Sequence, residues 1–137
     1  MLTKKAKYAL KAALYLARRE SAGAVLIADI ASAEQIPKKF LESILLAMKN
    51  GGILVSRKGR GGGYALARPA ARVSFGEIVR MMDGPLAAVP CVSATAYRRC
   101  EECLAEENCE IRAVMKRVRD ATSAVLDATS LADALKR

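Results

Sequence analysis

From Ile36 to Leu66 the chain reads IPKKFLESILLAMKNGGILVSRKGRGGGYAL, and the fold is decided in this stretch. Pro37 fits the first turn of a helix, where its missing N–H costs nothing. Phe40, Leu41, Ile44, Leu45 and Met48 recur with the helical period and make that helix's buried stripe, which Asn50-Gly51-Gly52 ends. Ile53-Leu54-Val55 reads as a strand, Arg57-Lys58-Gly59-Arg60-Gly61-Gly62-Gly63 as a flexible basic loop, and Tyr64-Ala65-Leu66 as the returning strand. A helix followed at once by a basic, glycine-rich hairpin has the layout of a recognition helix and its wing.

Upstream, Thr3 caps a first helix whose apolar positions Ala6, Leu10, Ala13, Leu14 and Ala17 repeat with a period near 3.6 and which ends at Arg18-Arg19, where cations suit the C-terminal dipole. Ser21-Ala22-Gly23 breaks that pattern. Ile27, Ile30 and Ala31 then mark a short second helix that runs out near Glu34-Gln35. Two helices joined by a tight turn, the second opening at Pro37, form a helix-turn-helix. Downstream, Ser74-Phe75-Gly76-Glu77 has the capping-box spacing and opens a fourth helix through Ile78, Val79, Met81 and Met82, closed by Gly84-Pro85. Between Pro85 and Asn108 no periodicity is sustained. Loops of that length in small domains are functional or disordered. Ile111, Val114, Met115, Val118, Val125 and Leu126 then mark a long amphipathic helix, with Leu131, Ala132 and Leu135 in a short terminal one. The predicted fold is mainly α: a winged helix-turn-helix with a two-stranded β wing over 1–84, a cysteine-rich loop over 85–110, and a long helix with its tail over 111–137.

The 137 residues have the length of one domain. Apolar residues are 53% of the chain and aromatics only 4%, so the core must be built from Ala, Leu, Ile and Val. Charge is divided unevenly. Residues 1–72 carry 14 Lys and Arg against 4 Asp and Glu, whereas residues 73–137 carry 9 against 10. A basic half-molecule attracts nucleic acid or an anionic surface, or is simply a solvated face. No run of eighteen apolar residues and no secretory h-region occurs, so the expected location is the bacterial cytoplasm, with no membrane partner.

On the third helix, Lys38 and Lys39 occupy the N-terminal turn that would enter a major groove, and Glu42 and Ser43 follow on its solvent side, where Glu42 can accept from a cytosine amino group. On the hairpin, Arg57, Lys58 and Arg60 stand among glycines that allow close approach, and a wing arginine suits the narrow minor groove. A phosphate-binding P-loop is excluded, because no Gly-Lys-Ser/Thr follows and a strand comes next. With no histidine, no nucleophile–base pair and no cofactor fingerprint, an enzyme is not expected.

The cysteines read Cys91-x8-Cys100-x2-Cys103-x5-Cys109. In a reducing compartment such a group points to metal or redox chemistry before disulfides. Thiolates suit iron-sulfur clusters and zinc, and zinc is the less favoured because a ribbon needs two Cys-x2-Cys pairs and one is present. Buried structural cysteines are the plain alternative. Against it, Glu101, Glu102, Glu106, Glu107 and Glu110 make the loop polar.

The whole chain from Leu2 to Leu135 resembles the IscR/NsrR/CymR family of winged-helix regulators, through LTKKAKYALKAALYLA, IADIA, IPKKFLESIL, KGRGGGYALA and VSFGEIVRMMDG. The resemblance implies a homodimer joined by the long helix after Cys109, two recognition helices on a palindromic double-stranded DNA operator, and a 2Fe-2S or 4Fe-4S cluster held by Cys91, Cys103 and Cys109, with Cys100 as an alternative or additional middle ligand. Arg112 stands where the IscR type has a histidine, and Lys7 where the NsrR type has an aspartate. The fourth ligand is thus open between the spare cysteine, Glu106 or Glu110, and an external molecule. Loss of the cluster would free the loop and shift the spacing of the two recognition helices. Two other readings remain: a cluster-free DNA-binding regulator with structural, zinc-bound or thiol-sensing cysteines, and a small iron-sulfur electron-transfer protein whose basic half binds an acidic partner.

Overall fold

Four alanines of the first helix, Ala6, Ala9, Ala12 and Ala13, have no exposed surface at all, and this helix is the axis around which the rest is packed. Small side chains let neighbouring helices approach closely on several sides, which is how a core so poor in aromatics closes. The computed structural model describes residues 2–136. Its elements run α1 (Lys4–Arg18), α2 (Ile27–Glu34), α3 (Lys38–Asn50), β1 (Leu54–Arg57), β2 (Gly63–Leu66), α4 (Phe75–Asp83), α5 (Glu110–Ala128) and α6 (Leu131–Leu135), with single 3₁₀ turns at Ala70–Arg72, Pro90–Val92 and Glu106–Asn108. Helix α1 packs against α2, α3, α4, α6 and β2. Burial of Ile30, Leu41, Ile44, Leu45, Ile78 and Leu131 completes the core, each side chain supplying about 1.5–3 kcal/mol of transfer free energy.

The caps foreseen at Thr3 and Ser74 both form. Thr3 Oγ1 accepts from the Ala6 amide at 3.1 Å, and Ser74 and Glu77 make a reciprocal capping box. Pro37 lies one residue outside α3 rather than in its first turn, with extended backbone (ψ 127°). Strand β1 begins at Leu54 and takes in Arg57, which pairs with Gly63 across the antiparallel ladder. Ile53 instead sits fully buried in the connection, its amide donating to the Met48 carbonyl at 2.9 Å.

Two long-range links have no local sequence signal. The Val25 N–H donates to the Tyr64 carbonyl and the Tyr64 N–H to the Val25 carbonyl, both at 2.8 Å, so the segment before α2 adds a third rung beside β2. At the other end the chain returns to the winged unit: Ser74 and Ser130 form an antiparallel bridge, and the Leu131 amide donates to the Val73 carbonyl at 2.9 Å. Helix α5 lies on α4 with one side only. Arg80 of α4 grips Asp127 of α5 through two hydrogen bonds of 2.7 and 2.8 Å. Gly76 makes room for this pair, since a Cβ there would stand 1.9 Å from Asp127 Oδ1.

Candidate nucleic-acid interface and cysteine segment

Helix α2 ends at Gln35, the one non-glycine residue with positive φ (55°) among those described, and this left-handed step turns the chain toward α3. Ile36, 4% exposed, plugs the turn into the core. Two contacts from α1 fix the arrangement: the ring of Tyr8 meets Phe40 edge-on at 5.6 Å, and the Lys11 ammonium donates to the Glu34 carbonyl at 2.7 Å. The buried stripe of α3 is Leu41, Ile44, Leu45 and Met48. Lys38, Lys39, Glu42, Ser43 and Lys49 are exposed on its other side.

Nothing in the stability of α3 calls for lysines at its start. The first turn holds no acidic residue and no side-chain cap, so two cations face the positive end of the helix dipole, an unfavourable placement for the helix alone. An external anion would reverse the sign of that interaction. Ser43 Oγ donates to the Phe40 carbonyl at 2.9 Å, which leaves its lone pairs outward.

The hairpin tip is built for exposure. Arg57, Lys58, Gly59, Arg60 and Gly61 are all exposed, while Gly62 is buried beneath them, its amide donating to the Gly59 carbonyl at 2.9 Å. A Cβ at Gly62 would meet the Arg57 carbonyl oxygen at 2.3 Å, and one at Gly63 the Val25 carbonyl oxygen at 2.1 Å. Neither Lys38 and Lys39 nor the three wing cations take part in an ion pair among the described residues, whereas Lys11, Arg18, Arg68, Arg80 and Arg119 all do. Exposed cations such as Lys4, Lys5, Lys7, Lys116 and Arg117 are likewise outside these pairs, so what marks α3 and the wing is that their cations cluster at one helix N-terminus and one glycine-rich tip.

The cysteines divide by environment. Cys91, 7% exposed, is packed in the Pro90–Val92 turn, and the Val92 carbonyl there accepts from Arg119 of α5 at 2.6 Å. Cys100 is exposed, and Cys103 and Cys109 are half-buried. The Cys103 amide donates to the Cys100 carbonyl at 3.1 Å, closing a turn between these two. Cys109 caps α5, its Sγ accepting from the Arg112 amide at 3.4 Å. The Arg112 Nε is buried without a partner. Tyr97 donates to the Glu106 carboxylate, a bond that holds the phenol's pKa above its ordinary value.

In donor chemistry four thiols suit an iron-sulfur cluster. In space they are not gathered: among the described residues no three Cys, Asp or Glu side chains stand close enough together to hold a metal. Burial of Cys91 also departs from the open polar loop expected for it. The glutamates that make the segment polar all lie downstream of Cys100, while Val89-Pro90-Cys91-Val92 is apolar and buries Cys91 and Val92. Sequence reasoning further missed Val25, Arg80, Asp127 and Arg119, whose roles come from partners 27 to 47 residues away.

The described fold has close relatives. A family model described as Rrf2, iron-dependent transcriptional regulator, matches residues 2–137. The chain is 44% identical over 138 residues to a candidate rrf2-like HTH-type transcriptional regulator of Rhodobacter capsulatus, covering 98% of this chain and 92% of that one. In structure it is similar to CymR, the global cysteine regulator of B. subtilis, with a TM-score of 0.80 and 27% identity over 97% of this chain and 94% of that one. It is also similar to IscR of T. potens, with a TM-score of 0.79 and 25% identity over 99% and 86%.

Proposed function

The chain belongs to the Rrf2 family of transcriptional regulators, and from that premise we propose that it is a sequence-specific DNA-binding regulator that works as a homodimer on a palindromic operator. The observation that carries this reading is the clustering of exposed Lys38, Lys39, Arg57, Lys58 and Arg60 at the N-terminus of α3 and on the tip of the glycine-rich wing. Lys38 and Lys39 bring the N-terminus of α3 to the phosphates of a major groove, Glu42 and Ser43 offer acceptors to base edges, and the wing arginines follow the neighbouring minor groove. Operator titrations over a range of salt test it. Lys39→Ala and Arg60→Ala are each expected to weaken specific binding by about 1–3 kcal/mol, and loss of one phosphate contact lowers the salt slope by about 0.9. Unchanged affinity and slope in both variants would refute the assignment.

Dimerisation is supported by α5. Ile111, Val114, Val118 and Val125 are 69, 49, 46 and 65% exposed, and with exposed Ala121 they recur at the three- and four-residue steps of a heptad seam. A second copy of the same helix is the occupant that such a self-complementary stripe fits.

The cysteine segment is the sensing element in this reading. A bound 2Fe-2S or 4Fe-4S cluster would supply a redox- and nitric-oxide-reactive centre held by thiolates among Cys91, Cys100, Cys103 and Cys109. The separated thiols and the buried Cys91 favour a second reading, a cluster-free regulator that senses through the thiols themselves. Iron and sulfide analysis after anaerobic purification, together with the visible absorption spectrum, separates the two.

A further inference from the structure

Of the four thiols, two are paired by the backbone. The Cys103 N–H donates to the Cys100 carbonyl at 3.1 Å across Glu101 and Glu102, and a turn closed in this way brings its first and fourth Cα atoms within about 7 Å. Disulfides span Cα separations up to about that limit. The other two are otherwise engaged: Cys91 is buried in its turn, and Cys109 caps α5 beyond an intervening 3₁₀ turn. Exposure also divides the pair. Cys100 is open to solvent and Cys103 is half-buried, the asymmetry of an attacking and a resolving thiol. The Arg99 guanidinium bends back toward the Cys103 and Leu104 carbonyls, at 3.5 and 3.4 Å, and so spans the turn with its positive charge.

The geometry points to a reversible dithiol–disulfide site at Cys100 and Cys103, taking hydroperoxides as its oxidant. The Cys100 sulfur attacks the terminal peroxide oxygen, the O–O bond breaks, and the thiol proton leaves with the alkoxide or hydroxide as alcohol or water. The Cys103 sulfur then displaces the new sulfenic hydroxyl, which departs as water with the Cys103 proton, and the S–S bond forms. Two thiols are oxidised and one peroxide bond is reduced. The site rests on the cluster-free reading, since Cys100 and Cys103 react in this way only where no cluster holds them, and it survives or falls without the DNA-binding reading.

Full-length protein found free of iron and sulfide, and then treated with a slight molar excess of hydrogen peroxide, tests it by intact mass and by peptide mapping under non-reducing conditions; iron and sulfide in the purified protein would overturn the cluster-free reading and the proposal with it. Cys100, Cys103 and Cys109 share one tryptic peptide, but cleavage after Glu102 and Glu107 separates all three, so fragments remain joined only through a disulfide. The expected result is a loss of two hydrogens, a Cys100–Cys103 crosslink and full recovery with dithiothreitol. Cys100→Ser and Cys103→Ser each abolish the crosslink, while Cys91→Ala and Cys109→Ser retain it. A crosslink joining any other pair, a crosslink between protomers, overoxidation of Cys100 without a crosslink, or no reaction would each overturn the proposal.

Discussion

Replacing Gly63 with alanine should cost more than any other single methyl addition on the hairpin. Gly63 has φ 136°, and a Cβ would stand 2.1 Å from the Val25 carbonyl oxygen, 2.4 Å from its carbon and 2.9 Å from the Leu26 nitrogen. All three are backbone atoms, so no side-chain rotation relieves the clash. Holding an alanine in that region of φ costs about 1–3 kcal/mol. Displacing Val25 breaks two backbone hydrogen bonds of 2.8 Å to Tyr64, at about 1 kcal/mol each. Together these give a destabilisation of about 3–5 kcal/mol, a large part of the stability of an ordinary domain. Urea unfolding followed by circular dichroism at fixed protomer concentration reads this as a fall in midpoint of roughly 1.5–3 M with little change in slope. Gly61→Ala is the control: φ is 75° but nothing lies within 4 Å, so only a backbone penalty of about 1–2 kcal/mol applies. If Gly63→Ala and Gly61→Ala unfold within 1 kcal/mol of each other, by the same estimates, the Val25 contact does not hold the wing.

Val118→Glu puts a charge into the exposed seam of α5 and is expected to yield a folded monomer in sedimentation equilibrium; a variant that stays dimeric would place the dimer contact elsewhere. Leu131, six residues from the last position and fully buried, should lose about 2–5 kcal/mol as Leu131→Ala, measured by the same urea titration, and a loss under 1 kcal/mol would show that α6 frays without consequence. Glu77 and Asp127 have pKa values held below the carboxylate norm, the first mainly by its hydrogen bond from Arg68 and the second by Arg80. Their contribution is therefore present above the unfolded carboxylate range near pH 4 and is lost as pH falls through the lower folded values. Both pairs are partly solvated, so each is worth about 0.5–1 kcal/mol. Arg80→Gln should lower thermal stability at pH 7 and leave it unchanged at a pH well below both values; an equal loss at both would assign Arg80 a packing role instead.

Helices and wing were legible because their signals are local: the Thr3 and Ser74 caps, the periodic stripe of α3, the glycines around Arg60. The unneutralised cations of the wing could also be anticipated, since no acidic residue lies between Leu45 and Phe75 to pair with them nearby. What escaped depends on contacts made by distant segments. Val25 carries no strand signal of its own, Asp127 gives no hint in a helix that its partner is Arg80, and Leu131 reads like the tail of an amphipathic helix although it is a core residue. For Cys91 the local signal was available in its apolar neighbours and was outweighed by glutamates too far along the chain to bear on it.

The grip of Arg80 on Asp127 sits at one end of α5 and the Cys109 cap at the other. Eighteen helical steps separate them, a rod of about 27 Å. With Asp127 as fulcrum, each degree of tilt moves the Cys109 end by about 0.5 Å for a rod of that length. The Val92 carbonyl meets the rod at Arg119, about 12 Å from the fulcrum by the same rise per residue, and travels less than half as far. A displacement of the Cys109 end about that fulcrum would thereby be geared down by the time it reached Arg119, and whatever held the far end still would act with long leverage on the Arg80–Asp127 pair.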